Sequence, residues 1–318
     1  MITVTDGSAW RRWAFLPTPR RIGDDDVPGD WGRPTNEELQ AVDLHSYRLS
    51  VSPVRPLDIL TCSPKARLYT KTVCSHSFSA PLPAGSICRL GSDVCIVSPE
   101  LLFLRMAPKL SFAQRIALGM ELCGRYGVIP GDETGFAKRP PVTSVKKIEA
   151  YLGRCHGLYG VGPAREALPW VLDNSRSPME SVLAILLTIG RRRGGCHLPL
   201  PKLNYTVRPE GDQRRLVRQD HFDIDLAWPE RMLAVEYNSD DYHEGDDKRR
   251  SDAGRDNGLE ALGWTVVSVT SDQVMDDGKL TVLSRQIASL LNWHDLTMSD
   301  AFVKRRAALR GELMRMSW

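Results

Sequence analysis

A chain of 318 residues with 42 Lys and Arg, 39 Asp and Glu and a net charge of +3 exceeds the usual size of one domain, so two are expected. That balance announces no polyanionic partner by itself, no apolar stretch approaches the length of a membrane span, and residues 1–12 lack the apolar core of a secretory leader. Seven scattered cysteines without a Cys-x-x-Cys pair are expected as reduced thiols of a cytoplasmic protein, and structural zinc is not expected.

Residues 1–35 mix Trp10, Arg11, Arg12 and Trp13 with Asp24, Asp25, Asp26 and several prolines, and read as a loosely structured arm. Its Arg–Trp pairs suit either stacking on nucleic acid or, the more ordinary outcome, packing on the protein surface. Thr35 before Glu37 and Glu38 opens a short helix. Runs of β type at 57–62, 66–73, 86–90 and 94–97, separated by Ser, Pro and Gly, predict a small sheet. Ser98-Pro99-Glu100 then supplies a cap, a first-turn proline and a carboxylate against the dipole, so a helix follows, and a second is predicted over about 112–126. Residues 36–130 are thus expected as one small α+β domain.

That sheet, followed by Val97-Ser-Pro-Glu-Leu-Leu-Phe-Leu-Arg-Met-Ala107, resembles the C-terminal part of AbiEi-like antitoxin regulators over about residues 55–126. The resemblance implies a DNA-associated protein of an abortive-infection system, with a toxin as partner. No winged helix is visible upstream, so it assigns no DNA-reading residue.

Residues 131–141, rich in Gly, Pro and charge, are the expected domain boundary, and 131–176 a helical connector with short helices at 144–152 and 163–171. Ser177-Pro178 starts another helix, with Glu180 in its first turn ahead of a strongly apolar run. A carboxylate there gains ~0.3–1 kcal/mol from the dipole alone and needs no further role. Arg191, Arg192 and Arg193 cap that helix as C-terminal cations, and Arg214, Arg215 and Arg218 occupy a polar loop. Either cluster alone is a solvated face; two flanking one acidic hairpin point to phosphate contact.

The hairpin is the stretch 222–238. Alternation puts Phe222, Ile224, Leu226 and Trp228 on one face of a strand and Asp223 and Asp225 on the other. Pro229-Glu230 reads as a tight turn, and the next run lifts Glu236 and Asn238 onto one face. Antiparallel pairing then sets Asp225 beside Glu236. Buried carboxylates cost several kcal/mol unless a cation satisfies them, and a divalent metal is the economical solution. Asp223, earlier on the strand, is expected to be solvated or paired to an arginine.

Asp241 and His243 follow, then Lys248, Arg249 and Arg250, a further basic run grouped with the phosphate contacts. Asp252, Arg255, Leu259 and Leu262 share one helical face that points toward the strands, Gly263 caps the helix, and 264–270 is a β-branched strand. No Gly-rich phosphate loop supports an NTPase. Residues 293–318 form a basic amphipathic C-terminal helix, from about Ser299, expected to pack through Phe302, Val303, Leu309, Leu313 and Met314 on the core or a partner protein, not on a membrane.

The order Asp225-Leu-Ala-Trp-Pro-Glu230, Ala234-Val-Glu-Tyr-Asn238, His243, Asp252, Arg255 and Gly263-Trp-Thr-Val-Val267 resembles the very-short-patch-repair-like branch of the PD-(D/E)XK nuclease superfamily, over about residues 177–292. The resemblance implies a restriction-endonuclease-like α/β (α+β) domain, with a central mixed sheet flanked by helices. It implies metal-dependent hydrolysis of DNA with Mg²⁺ or Mn²⁺ held by Asp225, Glu236 and the Tyr237 carbonyl, and with Glu180 acting through water. Asn238 stands where the family carries Lys or Asp; an amide can hydrogen-bond the attacking water but brings no charge. Lys248 or Arg255 reaches in as a substitute, and His243 is a proton shuttle, a metal ligand or a plain turn residue. Asp252 and Arg255 form either part of the site or an ion pair fixing their helix. Three classes stay open: an endonuclease of phage defence or repair, a DNA-binding antitoxin-type regulator on an inactive nuclease fold, and an adaptor for a toxin or phage protein.

Overall fold

Ile2, Thr3 and Val4 are fully buried and form β1 (Ile2–Val4), inside a sheet. The computed structural model describes residues 1–15, 20–21, 31–129, 135–238, 255–294 and 299–315, and divides into two units, Met1–Val171 and Leu172–Ser317. The first unit continues with α1 (Asp6–Trp13), β2 (Arg20–Arg21), α2 (Asn36–Ala41), β3 (Leu57–Thr61), β4 (Val73–Ser77), β5 (Ile87–Arg89) and β6 (Val94–Val97). These six strands form one sheet, in the order β2-β5-β6-β1-β3-β4. β1 runs parallel to β6 and antiparallel to β3, while β3 and β4 are parallel.

For residues 1–15 this corrects the expected arm. The apolar, β-branched start of the chain is a central strand, and α1 is bound inward: the Trp10 indole donates to Glu121 Oε2 (2.7 Å) and the Trp13 indole to the Val97 carbonyl (3.0 Å). Both indole N–H groups are thus engaged within the unit, and Trp13 is buried there. The strand expected at 66–73 is also displaced. A parallel neighbour of β3 requires a crossover, and residues 62–72 supply it, so pairing begins only at Val73.

Ser98 caps α3 (Pro99–Met106) as expected, and α4 (Phe112–Cys123) starts with a Ser111–Gln114 capping box. β7 (Tyr126–Val128), β8 (Phe136–Lys138), α5 (Val145–Arg154) and α6 (Val161–Ala167) complete the unit. Residues 135–171 of the expected connector are therefore part of the first domain. Ile148, Tyr151 and Leu152 form a buried stripe on α5, and the Tyr151 hydroxyl meets Ser86 Oγ at 2.6 Å. Gly160 (φ 98°) lets α6 start against α3: a Cβ there would lie 2.5 Å from the Leu104 carbonyl oxygen. The boundary falls after Val171, not in 131–141.

The second unit holds α7 (Pro178–Thr188), β9 (Lys202–Val207), β10 (Phe222–Trp228), β11 (Leu233–Asn238), α8 (helical residues 255–261), β12 (Thr265–Thr270), α9 (Ser271–Met275), α10 (Asp277–Leu290) and α11 (Asp300–Met314). Its sheet, ordered β12-β11-β10-β9, is mixed: β11 and β12 are parallel, the other pairs antiparallel. The α+β class with mixed sheets flanked by helices agrees with the sequence. β10 spans the alternating run, a 3₁₀ turn at Pro229–Arg231 reverses the chain, and Gly263 (φ 88°) ends α8. α11 packs on α7, its buried Arg306 donating to the Asp277 carbonyl (2.9 Å) and to Thr281 Oγ1. No helix among the described residues is long and apolar enough to cross a membrane.

Candidate active site

Three carboxylates converge from three elements of the second unit. Ser177 accepts the Glu180 N–H (3.2 Å) and so caps α7, which places Glu180 in the first turn with only 6% of its surface exposed. Its Oε2 accepts from the Arg176 N–H (2.8 Å) and Asn204 Nδ2 (2.7 Å), its Oε1 from Ser177 Oγ (3.0 Å). Asp225 lies on β10, half-buried, and its Oδ2 accepts the Tyr237 N–H at 2.9 Å. The antiparallel register pairs Leu226 with Val235, so one step further Asp225 stands opposite Glu236. Glu236 is 4% exposed and meets the Arg255 guanidinium at 3.1 and 3.3 Å.

The electrostatics follow from that placement. Burial first, and then the charge of Asp225, push the Glu180 carboxyl up to about 7 and that of Glu236 up to about 8. Burial likewise raises Asp225 above its usual range, although the Tyr237 N–H and the Arg255 and Arg176 guanidinium groups oppose it. Asp223 behaves differently. Burial works upward on it, but the Thr206 hydroxyl (2.5 Å) and Arg176 (2.6 Å) outweigh burial and hold it below the ordinary range. It is the arginine-paired carboxylate expected.

The strict alternation expected for β10 is interrupted at the site. Ile224 and Ala227, three residues apart, belong to one hydrophobic cluster with Leu259 and Leu262 of the segment that crosses the sheet. Asn204, opposite Asp225 by the β9–β10 register, takes a left-handed backbone (φ 48°). Sequence reading overlooked β9, and with it Asn204 as a donor to Glu180. Leu203, Tyr205 and Val207 alternate there, a signal that was available.

The other candidate residues divide by position. Arg255 reaches in from α8, pairing with Glu236 and donating to the Asp223 carbonyl, so its partner is Glu236. Asn238 is the exposed last residue of β11, and the Tyr237 hydroxyl donates to Ser271 Oγ (3.2 Å). Arg214, Arg215 and Arg218 are carried by the loop joining Val207 to Phe222, a paired position roughly 10 Å along the strand from Asp225. Arg191, Arg192 and Arg193 form a 3₁₀ turn beyond the far end of the 11-residue α7, past roughly 12 Å of helix from Glu180, with Arg305 Nε donating to the Arg191 carbonyl. They do not flank the carboxylates, because the helix that carries Glu180 separates the two. His243, Lys248, Arg249, Arg250 and Asp252 lie outside the described residues.

The donor set is oxygen only, which suits a hard divalent cation such as Mg²⁺ or Mn²⁺. The three carboxylates do not bring one oxygen each within 4.8 Å of the others. Glu180 already accepts from three donors, which leaves Asp225 and Glu236 as the carboxylates that could hold such an ion directly.

Comparison with known proteins adds little chemistry. Two uncharacterized proteins of Mycobacterium tuberculosis, from strains CDC 1551 / Oshkosh and ATCC 25618 / H37Rv, are each 32% identical to this chain over 128 residues. The match covers 40% of this chain and 42% of each relative, so the chain spans under half the length of the curated relatives it matches. No protein-family model and no solved structure matches the chain.

Proposed function

We propose that the second unit is a metal-dependent, PD-(D/E)XK-type nuclease domain acting on DNA, in phage defence or repair in the cytoplasm. The observation that supports it most is the convergence of Glu180, Asp225 and Glu236, two of them nearly buried, with Arg255 as the cation on Glu236. Carboxyls held up to about 7 and 8 are high in energy as anions, and a divalent ion is what lets them ionise. In this reading Asp225 and Glu236 would hold Mg²⁺ or Mn²⁺, assisted by the Tyr237 carbonyl and, through water, by Glu180. Bound there, such an ion would supply Lewis acidity for activating a water and for stabilising the leaving oxygen. Arg255 neutralises part of the charge on Glu236 and stands where a phosphate would meet it, and the exposed Arg214, Arg215 and Arg218 offer further phosphate contacts.

The test is metal-induced thermal stabilisation together with nicking of supercoiled plasmid. Asp225→Asn and Glu236→Gln are each expected to remove both while the unit stays folded. Equal metal stabilisation in wild type and both variants rejects the assignment.

A second reading has its own observation. Asn238, exposed at the end of β11, carries no charge, and Arg255 already partners Glu236; both suit a binding module of antitoxin-regulator or adaptor type. Asn238→Lys separates the two. In the nuclease reading it accelerates nicking by ~10²–10⁴-fold, the range for a well-placed acid–base or charge contribution. Sequence-selective binding with no cutting by either protein under any metal favours the regulator.

A further inference from the structure

In the first unit, the parallel register of β3 and β4 sets Asp58 opposite Cys74, and His76 follows two residues on, on the same face of β4. One ligand atom from each of these residues lies within 4.8 Å of the other two, and this is the single such group of three among the described residues. Their surroundings are ordered toward that point. Asp58 Oδ2 accepts from the Ser8 N–H (3.0 Å) and Ser8 Oγ (3.2 Å), which turns Oδ1 toward His76 Nε2 at 2.8 Å. The other imidazole nitrogen, Nδ1, faces Asp6 Oδ2 at 3.2 Å, and Asp6 is itself clamped by Arg105 and Lys109.

We propose that Asp58, Cys74 and His76 form a binding site for a thiophilic divalent cation, zinc first, with a fourth position open to solvent. A thiolate, an imidazole and a carboxylate are the donor types that zinc takes, whereas Mg²⁺ and Ca²⁺ require oxygen throughout. With neutral imidazole, the two anionic ligands balance the ion's charge. The contact of His76 Nδ1 with Asp6 is the carboxylate–histidine support that fixes the ring orientation of a metal-binding imidazole. The oxygen–nitrogen pair needs little adjustment: tetrahedral zinc at roughly 2.0–2.1 Å from both Oδ1 and Nε2 parts these atoms to roughly 3.3 Å. Cys74 is exposed, β4 is the edge strand, and His76 lines a cavity of about 430 Å³ shared with Arg67, Arg105 and Lys109. Water or a small anionic ligand therefore has access to the fourth position. The site was not legible as a cysteine motif because its carboxylate comes from a neighbouring strand. Its sulfur and nitrogen donors also separate it from the all-oxygen carboxylate site of the second unit.

Cobalt titration of the reduced, chelator-stripped full chain tests the site. The expected result is one equivalent of Co²⁺ with tetrahedral visible bands and a thiolate-to-cobalt charge-transfer band, all displaced by zinc. Cys74→Ser, at an exposed position that tolerates it, abolishes the charge-transfer band, while Cys62→Ser keeps it. Asp58→Asn and His76→Gln weaken zinc binding by at least about tenfold, a loss seen even for outer-sphere partners. The band persists in Asp225→Asn/Glu236→Gln, since those oxygens produce no thiolate transition. Zinc also protects Cys74 from alkylation. Absence of the charge-transfer band in wild type, or its persistence in Cys74→Ser, overturns the proposal.

Discussion

Asp6 in the first unit and Glu236 in the second are buried to nearly the same degree, 2% and 4% exposed, yet their carboxyls move in opposite directions. Burial pushes both up. Asp6 nevertheless falls below the ordinary range, because Arg105 grips both its oxygens at 2.9 Å and Lys109 (2.8 Å) and His76 (3.2 Å) close around it. Glu236 meets Arg255 while facing Asp225, and rises to about 8. Glu180, 6% exposed, is held by the neutral donors Ser177, Asn204 and the Arg176 N–H and rises to about 7. Burial alone thus does not say what a carboxylate is for. Where the chain supplies enough cations the carboxyl is held below its ordinary range; where it supplies fewer the carboxyl rises, and in the proposed function that is where a cation from solution binds.

The largest expected effect is on the over-supplied side. Asp6→Ala leaves Arg105, itself 9% exposed, without its carboxylate, and should cost about 3–5 kcal/mol in urea unfolding of the first unit. An unchanged midpoint would remove the contrast with Glu236.

Next is the pH dependence. For Glu180 and Glu236 the folded state keeps protons that the unfolded chain has released above ~4.3, so metal-free stability should fall as pH rises toward about 7 and about 8. The slope is at most about 1.4 kcal/mol per pH unit for each carboxyl. Saturating Mg²⁺ or Mn²⁺ should flatten it, and so should Glu236→Gln. Asp6 has the opposite sign: its contribution is present above the unfolded pKa and is lost as pH falls through the lowered folded value. Chemical denaturation from pH 5 to 8, with and without metal, reads the first effect, and acid unfolding reads the second.

Glu180→Gln sharpens the comparison. Replacing a buried carboxyl that lacks a cation by an amide should stabilise the metal-free protein above pH 7 by ~1 kcal/mol. It should also weaken metal-induced stabilisation, because the water-ordering oxygen is gone. Destabilisation at pH 8 would place Glu180 with Asp6, as a structural carboxylate.

The smallest effect concerns charges that are simply exposed. Arg214→Ala and Arg215→Ala should change stability by less than about 0.5 kcal/mol, yet each should reduce the salt slope of DNA binding by ~0.9. Arg192→Ala, beyond the other end of α7, should leave that slope unchanged. Equal slopes in all three variants would break the assignment of the 208–221 loop to the phosphate face.

Local patterns in the chain were enough to place individual elements. Alternation located β10, the serines at 98, 177 and 299 located three helix starts, and Gly263 located the end of α8. The same alternation, combined with a two-strand hairpin, brought Asp225 beside Glu236. These features depend on neighbours within a few residues, so the sequence by itself determined them. What only the tertiary structure decided involves partners far apart in the chain. β1 became a central strand because β3 and β6 pair on either side of it, and the domain boundary moved to Val171 because α5 buries its stripe in the first unit. Arg255 belongs to Glu236, Asn204 to Glu180, and Asp58 to Cys74 and His76, by packing and register that no local pattern records. A residue's own periodicity sets the direction of its side chain, but whether a cation or another carboxylate waits there is set by the element packed opposite. That second fact decides the chemistry.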